Sequence, residues 1–452
     1  MNEQVLLEKA LGILKAGGAE GDAYLVERRT LELRVREDEL QTLSRADVRG
    51  LAVRAMRDGR LGFVHTSAVD EDGVQRAAEK ALALAKAGSP REDLALPDPA
   101  GPGDGRDEGA ALGIYDAAIA EHSIDEKRER ARATDAAARA ADPKIRPGEG
   151  SGYEENVTAH WIANTRGLFR HARRSHVAAS ASVIAEAAGD MQPGEYFVEA
   201  ARYADLLPPE ELGRRAADRG LRLLGGRPVP TGRYPIVVSP DVGWTLLLRL
   251  AVALNGDHLS RKRSWLADRG DQPLGSPLVT VHDHPRMPGG LATEPFDAEG
   301  VDTRDLTLLA GGAVRGQLTD LASAKRLGIP SNGNARRDGY EALPEIRASN
   351  LFLAPGTSKR EEILASVDQG FWVWGFSGWW IGMEPSNPTF SSAASGLWLE
   401  KGQPTKAVAR VTIAGSMEEI LGGIDMVADD LVWDHATKTP TFRVRELAVS
   451  GT

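Results

Sequence analysis

The pattern of apolar residues predicts helices at four places in the first half of the chain. Apolar side chains recur at intervals of three or four residues, or alanine-rich sequence follows a capping signal, as is typical of helices. The predicted helices span residues 5–16, 74–86, 123–142 and 208–224. Gly17 and Gly18 should end the first helix, and Ser123 with Glu126 has the spacing of a capping box at the start of the third.

The sequence after the first predicted helix alternates between apolar and polar residues. Leu31, Leu33 and Val35 are separated by charged residues, the period of a strand with one buried face. Asp58 and Gly59 lie between two apolar runs, which is a strong hairpin signal. This region therefore predicts strands joined by at least one tight turn.

Strand-like sequence returns after a segment rich in turn residues. Residues 96–109 hold three prolines and four glycines among acidic residues, which predicts a flexible surface loop. Its glycines do not match a nucleotide fingerprint, because no strand precedes them and no capped helix follows at the required spacing. Residues 156–203 then alternate as strands do, with turns expected at 164–167 and 192–194.

A break in the pattern at residues 225–232 predicts a domain boundary. This stretch holds two prolines and three glycines, and it separates an N-terminal domain, residues 1–224, from a C-terminal domain, residues 225–452. Beyond it come one short buried strand, one helix and a long series of short apolar runs divided by Gly, Pro, Asn and Asp. That spacing favours a mostly antiparallel β domain.

Composition narrows the class of protein. A chain of 452 residues with 42% hydrophobic residues is expected to be globular, with two or three domains. Its formal net charge of −10 argues against nucleic acid as the primary partner.

The N-terminus lacks the pattern of a signal peptide. The most apolar run, residues 245–254, contains Arg249 and is too short to span a membrane. Without cysteine, no disulfide is expected, and a cytoplasmic protein is predicted.

The cluster His282, Asp283 and His284 invites a metal-site interpretation, because imidazole and carboxylate are common zinc ligands. If residues 279–283 form a strand, the two imidazoles lie on one face. A zinc site needs three or four ligands, however, and the proline and glycines that follow predict a strand end with solvated side chains. We therefore expect no metal at this cluster.

An acidic segment lies at residues 296–305, with carboxylates at Asp297, Glu299, Asp302 and Asp305. It lacks the glycine and glutamate spacing of a twelve-residue calcium loop. Paired carboxylates can act as general acid and base. The simpler interpretation, which we favour, is a charged loop before the next strand.

Residues 370–380 contain four of the nine tryptophans. Trp372 and Trp374 alternate as in a strand with an aromatic face, and Trp379 and Trp380 follow closely. Such a face would serve as core, as a subunit interface or as the wall of a cleft for apolar side chains. Core packing is the favoured interpretation.

A series of segments closely resembles the TldD/PmbA family in the same order. They are PTGRYPIVVSP (230–240), PFDAEGVDTRDLTLLAGGAVRGQLTDLASAKRLG (295–328), SNGNARRDG (331–339), NLFLAPG (350–356) and SSAASGLWLEKG (391–402), with RGLAVRAMRDGRLGFVHTS and NTRG in the N-terminal half. Members, once called modulators of DNA gyrase, are understood as subunits of a cytoplasmic metalloprotease. The resemblance implies an α+β fold, with an N-terminal α/β domain and a C-terminal domain of extensive, mostly antiparallel β-sheet.

The family has two kinds of subunit, which differ at one helix. TldD-type chains carry H-E-x-x-x-H there, which holds zinc with a further cysteine ligand near the C-terminus. Aligning residues 255–257 with the E-G-D that follows the motif places Leu247, Leu248 and Val252 where those chains have His, Glu and His. The resemblance therefore implies a TldE (PmbA)-type subunit that binds no metal, with zinc expected in a TldD-type partner.

The resemblance also implies a function for the assembled pair. It would hydrolyse unfolded or short peptides in an enclosed chamber, while the chain alone would be inactive. Candidate chamber or peptide contacts are Asn332, Gly333, Asn334, Trp372, Trp374, Trp379 and Trp380. Two alternatives stay open: a stand-alone homodimer that binds peptides or a metabolite without hydrolysis, and a TldD/TldE pair that trims a peptide natural product.

Overall fold

The helices and strands follow from a computed structural model that describes residues 2–101, 103–270 and 272–452. The helices are α1 (Glu3–Ala16), α2 (Glu71–Ala87), α3 (Ile124–Ala140), α4 (Pro209–Leu223), α5 (Pro240–Ala253), α6 (Gly256–Ser260), α7 (Leu321–Leu327), α8 (Arg360–Ala365) and α9 (Met417–Gly423). The strands of the N-terminal half are β1 (Glu20–Arg36), β2 (Glu39–Arg57), β3 (Arg60–Thr66), β4 (Ile145–Asn164), β5 (Phe169–Ala187) and β6 (Asp190–Ala200). Those of the C-terminal half are β7 (Gly232–Val238), β8 (Val281–Asp283), β9 (Leu306–Ala310), β10 (Ala313–Val314), β11 (Ala335–Arg336), β12 (Glu345–Ile346), β13 (Leu351–Leu353), β14 (Gln369–Ser377), β15 (Thr389–Glu400), β16 (Gln403–Ser416), β17 (Ile424–Val427), β18 (Thr437–Lys438) and β19 (Phe442–Ser450).

The N-terminal half is built on one antiparallel sheet with the strand order β3-β2-β1-β4-β5-β6. Its two faces have different partners because side chains alternate along each strand. Leu25 and Leu33 of β1 pack among residues of α1 to α4 on one face. Tyr24 and Arg28 of the same strand face the other side, where Tyr24 packs with Phe296 of the C-terminal half. The sheet is therefore covered by helices on one face and by C-terminal segments on the other.

The four predicted helices are confirmed as α1 to α4. The capping box also forms, since the Ser123 side chain accepts from Glu126 N and the Glu126 carboxylate accepts from Ser123 N.

The prediction of a turn at 192–194 is wrong, because these residues lie inside β6 and pair with β5. The chain reverses instead at Ala188 and Gly189, both with positive φ. Pro193 is compatible with β6 because this strand lies at the edge of the sheet.

The loop predicted at 96–109 lies against β5, and Pro102 within it falls outside the described residues. The Asp107 carboxylate accepts from Nε of Arg173 at 2.9 Å. Glu108 forms an ion pair with the buried Arg170. The second half of the loop is thus fixed to the sheet by two ion pairs.

The C-terminal half contains the two-stranded sheet β11–β12 and two larger sheets. One has the order β16-β15-β14-β7-β19-β17 and the other β10-β9-β8-β13-β18, with parallel pairs only at β14–β7 and β13–β18 among the described strands of these sheets. Helix α5 shares one apolar core with both sheets, in which its Leu246 and Leu250 pack with Val238, Phe371 and Val281. The α+β class and the mostly antiparallel C-terminal half are confirmed.

Residues 225–232 connect α4 to β7 and so lead from the first sheet to the second. Across the described ranges, no helix combines the length and the apolar character needed to cross a membrane.

Candidate functional site

Helix α5 carries the three positions at which the family resemblance places metal-site residues. Ser239 begins the helix by accepting from Asp241 N, and proline follows at the first helical position. Leu247 is buried in the core, while Leu248 and Val252, one turn apart, share a half-buried face. None of these three side chains has an atom that can coordinate a metal ion.

His282 and His284 lie together at the end of β8. The ring centres of His282 and His284 are 5.1 Å apart, and both rings pack on Phe352. His282 Nδ1 is 3.2 Å from Thr307 Oγ1. In the part of the chain that the structure describes, no group of three or more His, Asp or Glu side chains is arranged to hold a metal ion.

Asp283, between these histidines, points into the protein. Its Oδ1 accepts from the backbone N–H and the hydroxyl of Ser349, both at 2.7 Å, and its Oδ2 accepts from Asn334 Nδ2 at 3.1 Å. Burial raises the pKa of Asp283, against the effect of these donors. The expectation of a solvated strand end is therefore wrong for this residue.

The predicted contacts at 332–334 form a tight turn that is held by hydrogen bonds. Asn334 Oδ1 accepts from Thr319 N, and Asn332 Nδ2 donates to the Gln317 carbonyl at 2.9 Å. Gly333 has φ of 76°, and an added Cβ would lie 2.7 Å from a backbone oxygen. Only Asn332 is partly exposed. A peptide contact at this turn stays a prediction.

The four tryptophans fall into two separate pairs. Trp372 and Trp374 lie on the face of β14 opposite to Phe371 and Val373, with ring centres 4.9 Å apart, and they line a cavity of about 340 Å³. Trp372 also packs against a smaller buried apolar cluster on this face. Trp379 packs edge-on against Trp244 of α5, and Trp380 is 60% exposed. Core packing, the favoured interpretation, thus does not apply to Trp380.

Arg249 of α5 has a structural role that sequence reasoning missed. Its side chain is buried and donates to the carbonyls of Trp379, Ile381, Gly382 and Thr389, at 2.7–3.1 Å. Burial lowers the pKa of Arg249. The sequence signal for this role is that Arg249 is a single arginine in the most apolar run of the chain. A cation buried there requires several hydrogen-bond acceptors.

A buried ion network joins the N-terminal sheet to the acidic segment. Arg54 Nε lies 2.7 Å from Asp22 Oδ2, and Arg54 Nη1 lies 3.1 Å from Glu299 Oε1. Asp297 is buried next to this network. The charged-loop interpretation of residues 296–305 is therefore wrong for Asp297 and Glu299, which lie inside the interface between the two halves.

Asp297 organises the backbone around it. Its Oδ1 accepts from Glu299 N and Val301 N, and its Oδ2 accepts from Ala335 N. Burial, followed by the nearby charge of Glu299, raises the pKa of Asp297 to about 7. The folded chain therefore binds a proton at this carboxyl at pH values where the unfolded chain does not.

This carboxyl should make stability depend on pH. Its contribution is fully present below the ordinary aspartate pKa and is lost as pH rises through about 7, so the free energy of unfolding should fall between pH 5 and pH 8. Asp297→Asn does not titrate, so the fall should be smaller in this variant. Urea unfolding of both proteins at the two pH values measures the difference, and an equal fall would show that Asp297 does not cause it.

Family models match the chain over three successive segments. They are described as PmbA/TldA metallopeptidase domain 1, central domain and C-terminal domain, and they match residues 21–85, 118–224 and 231–451. The C-terminal model includes α5 and the buried acidic segment.

Whole-chain relatives and solved structures agree with these matches. Metalloprotease PmbA of Escherichia coli O157:H7 is 26% identical, over 99% of this chain and 97% of the relative. A Metalloprotease TldD homolog of Haemophilus influenzae is 28% identical over 89% and 87%. The structure of a putative modulator of a DNA gyrase from Thermotoga maritima superposes with a TM-score of 0.89 at 25% identity, covering 99% of this chain and 100% of the other. The chain belongs to the PmbA/TldD family of metallopeptidases.

Proposed function

We propose that this chain is the subunit without metal in a heteromeric zinc metalloprotease, and that a TldD-type partner holds the zinc. The observation that carries the proposal is helix α5, where the apolar residues Leu247, Leu248 and Val252 occupy the expected metal-site positions. Zinc requires nitrogen, oxygen or sulfur ligands, and a water nucleophile requires a base beside it. This helix supplies neither, which supports a catalytic group on another chain.

An exposed strand edge supports a peptide as the substrate. Residues 39–48 of β2 are exposed throughout and pair with β1, whereas the pairing of β2 with β3 starts only at Leu51. An extended peptide can join such an edge through its main-chain groups, which demands little of its sequence. The exposed Leu40, Leu43 and Val48 add apolar contact area along this edge. The same edge would also suit the contact with the partner subunit.

Reconstitution tests the proposal. Hydrolysis of an unfolded peptide should be absent for this chain alone and for a TldD-type chain alone, and should be present when the two are co-expressed. Size-exclusion chromatography of the mixture should give a heteromeric peak that contains both chains. Activity of this chain by itself would refute the assigned role, and a homodimer that binds the peptide without cleaving it would support a binding protein instead.

Removal of the histidine pair should leave catalysis unaffected. The double variant His282→Ala/His284→Ala should keep the activity of the reconstituted complex within about twofold, because two imidazoles without a third ligand do not make a zinc site. Circular dichroism and co-purification with the partner serve as controls for folding and assembly. Complete loss of activity in a folded, assembled complex would restore the metal interpretation of this pair.

A further inference from the structure

A cavity of about 290 Å³ lies between the two halves of the chain. Its floor is the face of the N-terminal sheet that carries no helices, where Arg28, Thr158 and Arg174 are direct neighbours on β1, β4 and β5. Its roof consists of residues 294–298 and 335–337 of the C-terminal half. These two roof segments are joined by hydrogen bonds, including Ala298 N to the Ala335 carbonyl at 2.9 Å. The cavity is thus built by the fold of both halves.

Several guanidinium nitrogen atoms of this cavity lack hydrogen-bond acceptors among the described residues. Other nitrogen atoms of the same groups are paired, since Arg337 Nη1 donates to the Ala342 carbonyl at 3.0 Å and Arg28 Nη2 to the Asp338 carbonyl at 3.2 Å. Both Nη atoms of Arg336 are buried, yet neither has a hydrogen-bond partner among the described residues. Nε and Nη2 of Arg337 are in the same situation, and the side chain of Arg337 is only 1% exposed. Arg337 Nη2 forms an ion pair at 3.9 Å with Asp22 Oδ1, which is beyond hydrogen-bond distance, and this oxygen is likewise buried without a partner among the described residues. Nε of Arg28 is also buried without a partner.

Two carboxylates line the cavity. Glu294 Oε1 accepts from Arg174 Nη1 at 2.7 Å, whereas Glu294 Oε2 is buried without a hydrogen-bond partner among the described residues and lies 3.8 Å from His160 Nε2. Both oxygens of Asp297 accept from backbone N–H groups, and the raised pKa of this carboxyl reduces its negative charge near neutral pH. Burial lowers the pKa of Arg337 to about 10, which leaves its guanidinium charged at neutral pH. The cavity therefore holds more positive than negative charge.

We propose that this cavity binds a small oxyanion, a carboxylate or phosphate group, through the free N–H groups of Arg336, Arg337 and Arg28. A buried cationic N–H group without an acceptor is unfavourable, and a planar guanidinium matches the oxygens of a carboxylate or phosphate in two parallel hydrogen bonds. The volume is close to the lower end of the range for small-molecule sites, so it accommodates such a group together with a small organic part. The ligand would bridge the sheet and the roof segments and so hold the two halves together.

Calorimetric titration of the full chain with inorganic phosphate, in a low-chloride buffer, tests the site directly. One phosphate should bind per chain with a Kd of about 1 mM or tighter. Arg336→Gln should weaken binding by about tenfold or more, since it removes charge-assisted hydrogen bonds. Arg28→Gln, on the floor of the cavity, should also weaken it and remains informative if the first variant does not fold. Arg304→Gln, exposed and outside the cavity, should bind like the parent.

A second titration identifies the source of the anion. An acetylated dipeptide with a free C-terminal carboxylate is compared with the same dipeptide as its amide. Competition with phosphate by the acid and not by the amide would assign the site to a peptide terminus, whereas no competition by either would assign it to free phosphate. Absence of binding by all anions up to about 10 mM, or unchanged binding in both arginine variants, would overturn the proposal. The titrations use no peptidase activity, so their failure would leave the proposed function untouched.

Discussion

Replacing Arg54 by leucine should lower the free energy of unfolding by about 3–5 kcal/mol, because it removes the counter-charge of two buried carboxylates. Arg54, Asp22 and Glu299 have side chains that are 7%, 1% and 6% exposed. Without the guanidinium, Glu299 loses its charged hydrogen-bond partner inside the interface, and Asp22 keeps only the more distant Arg337, 3.9 Å away. Because Arg54 belongs to the N-terminal sheet and Glu299 to the C-terminal half, the contact between the halves should weaken as well.

Equilibrium unfolding in urea, followed by circular dichroism, measures this loss. Arg45→Leu is the matched control, since Arg45 lies on the same strand, is 62% exposed and approaches Asp47 only at 3.9 Å. Its effect should stay within about 0.5 kcal/mol. A change below about 1 kcal/mol for Arg54→Leu would show that the ion network adds little to the stability of the interface.

Replacing Arg249 by methionine should destabilise the chain by about 2–4 kcal/mol and loosen the segment that it holds. Methionine keeps most of the buried aliphatic volume but cannot donate to the carbonyls of Trp379, Ile381, Gly382 and Thr389. The loss in the free energy of unfolding should be smaller than the sum expected for four hydrogen bonds. These carbonyls belong to partly or fully exposed residues, so they can bind water instead.

Hydrogen exchange provides a local test of the same substitution. Amides of residues 378–389 should exchange faster in Arg249→Met, while those of the N-terminal sheet should not change. Arg263→Met is the control, because Arg263 is exposed and lies ten residues beyond the end of α5. Unchanged exchange in residues 378–389 would mean that other contacts hold this segment in place.

Local patterns in the sequence predicted the elements that local chemistry determines. The helices α1 to α4 combine apolar spacing with end signals that act within one turn. The turn expected at 192–194 failed because proline and glycine favour turns but also fit the edge of a sheet. The order of strands in a sheet depends on pairing between residues that are far apart in the chain. A short stretch of sequence therefore does not reveal which strand forms an edge.

The buried charges were misjudged for the same reason. Arg54 and Glu299 are 245 positions apart in the chain, so nothing near residue 299 reveals its counter-charge. Asp283 likewise receives its hydrogen bonds from Ser349 and Asn334. Resemblance to a family motif placed Leu247, Leu248 and Val252 on α5. Nothing in the sequence indicated that side-chain atoms of Arg336 and Arg337, which follow the turn at 332–334, are buried.

The metal content of the purified chain tests the central claim most directly. The isolated chain is incubated with zinc, dialysed against metal-free buffer and analysed by inorganic mass spectrometry beside a TldD-type chain treated in the same way. We expect well under one zinc per molecule of this chain, because α5 presents leucine and valine at the expected ligand positions. One tightly bound zinc per molecule would contradict the assignment of this chain as the subunit without metal.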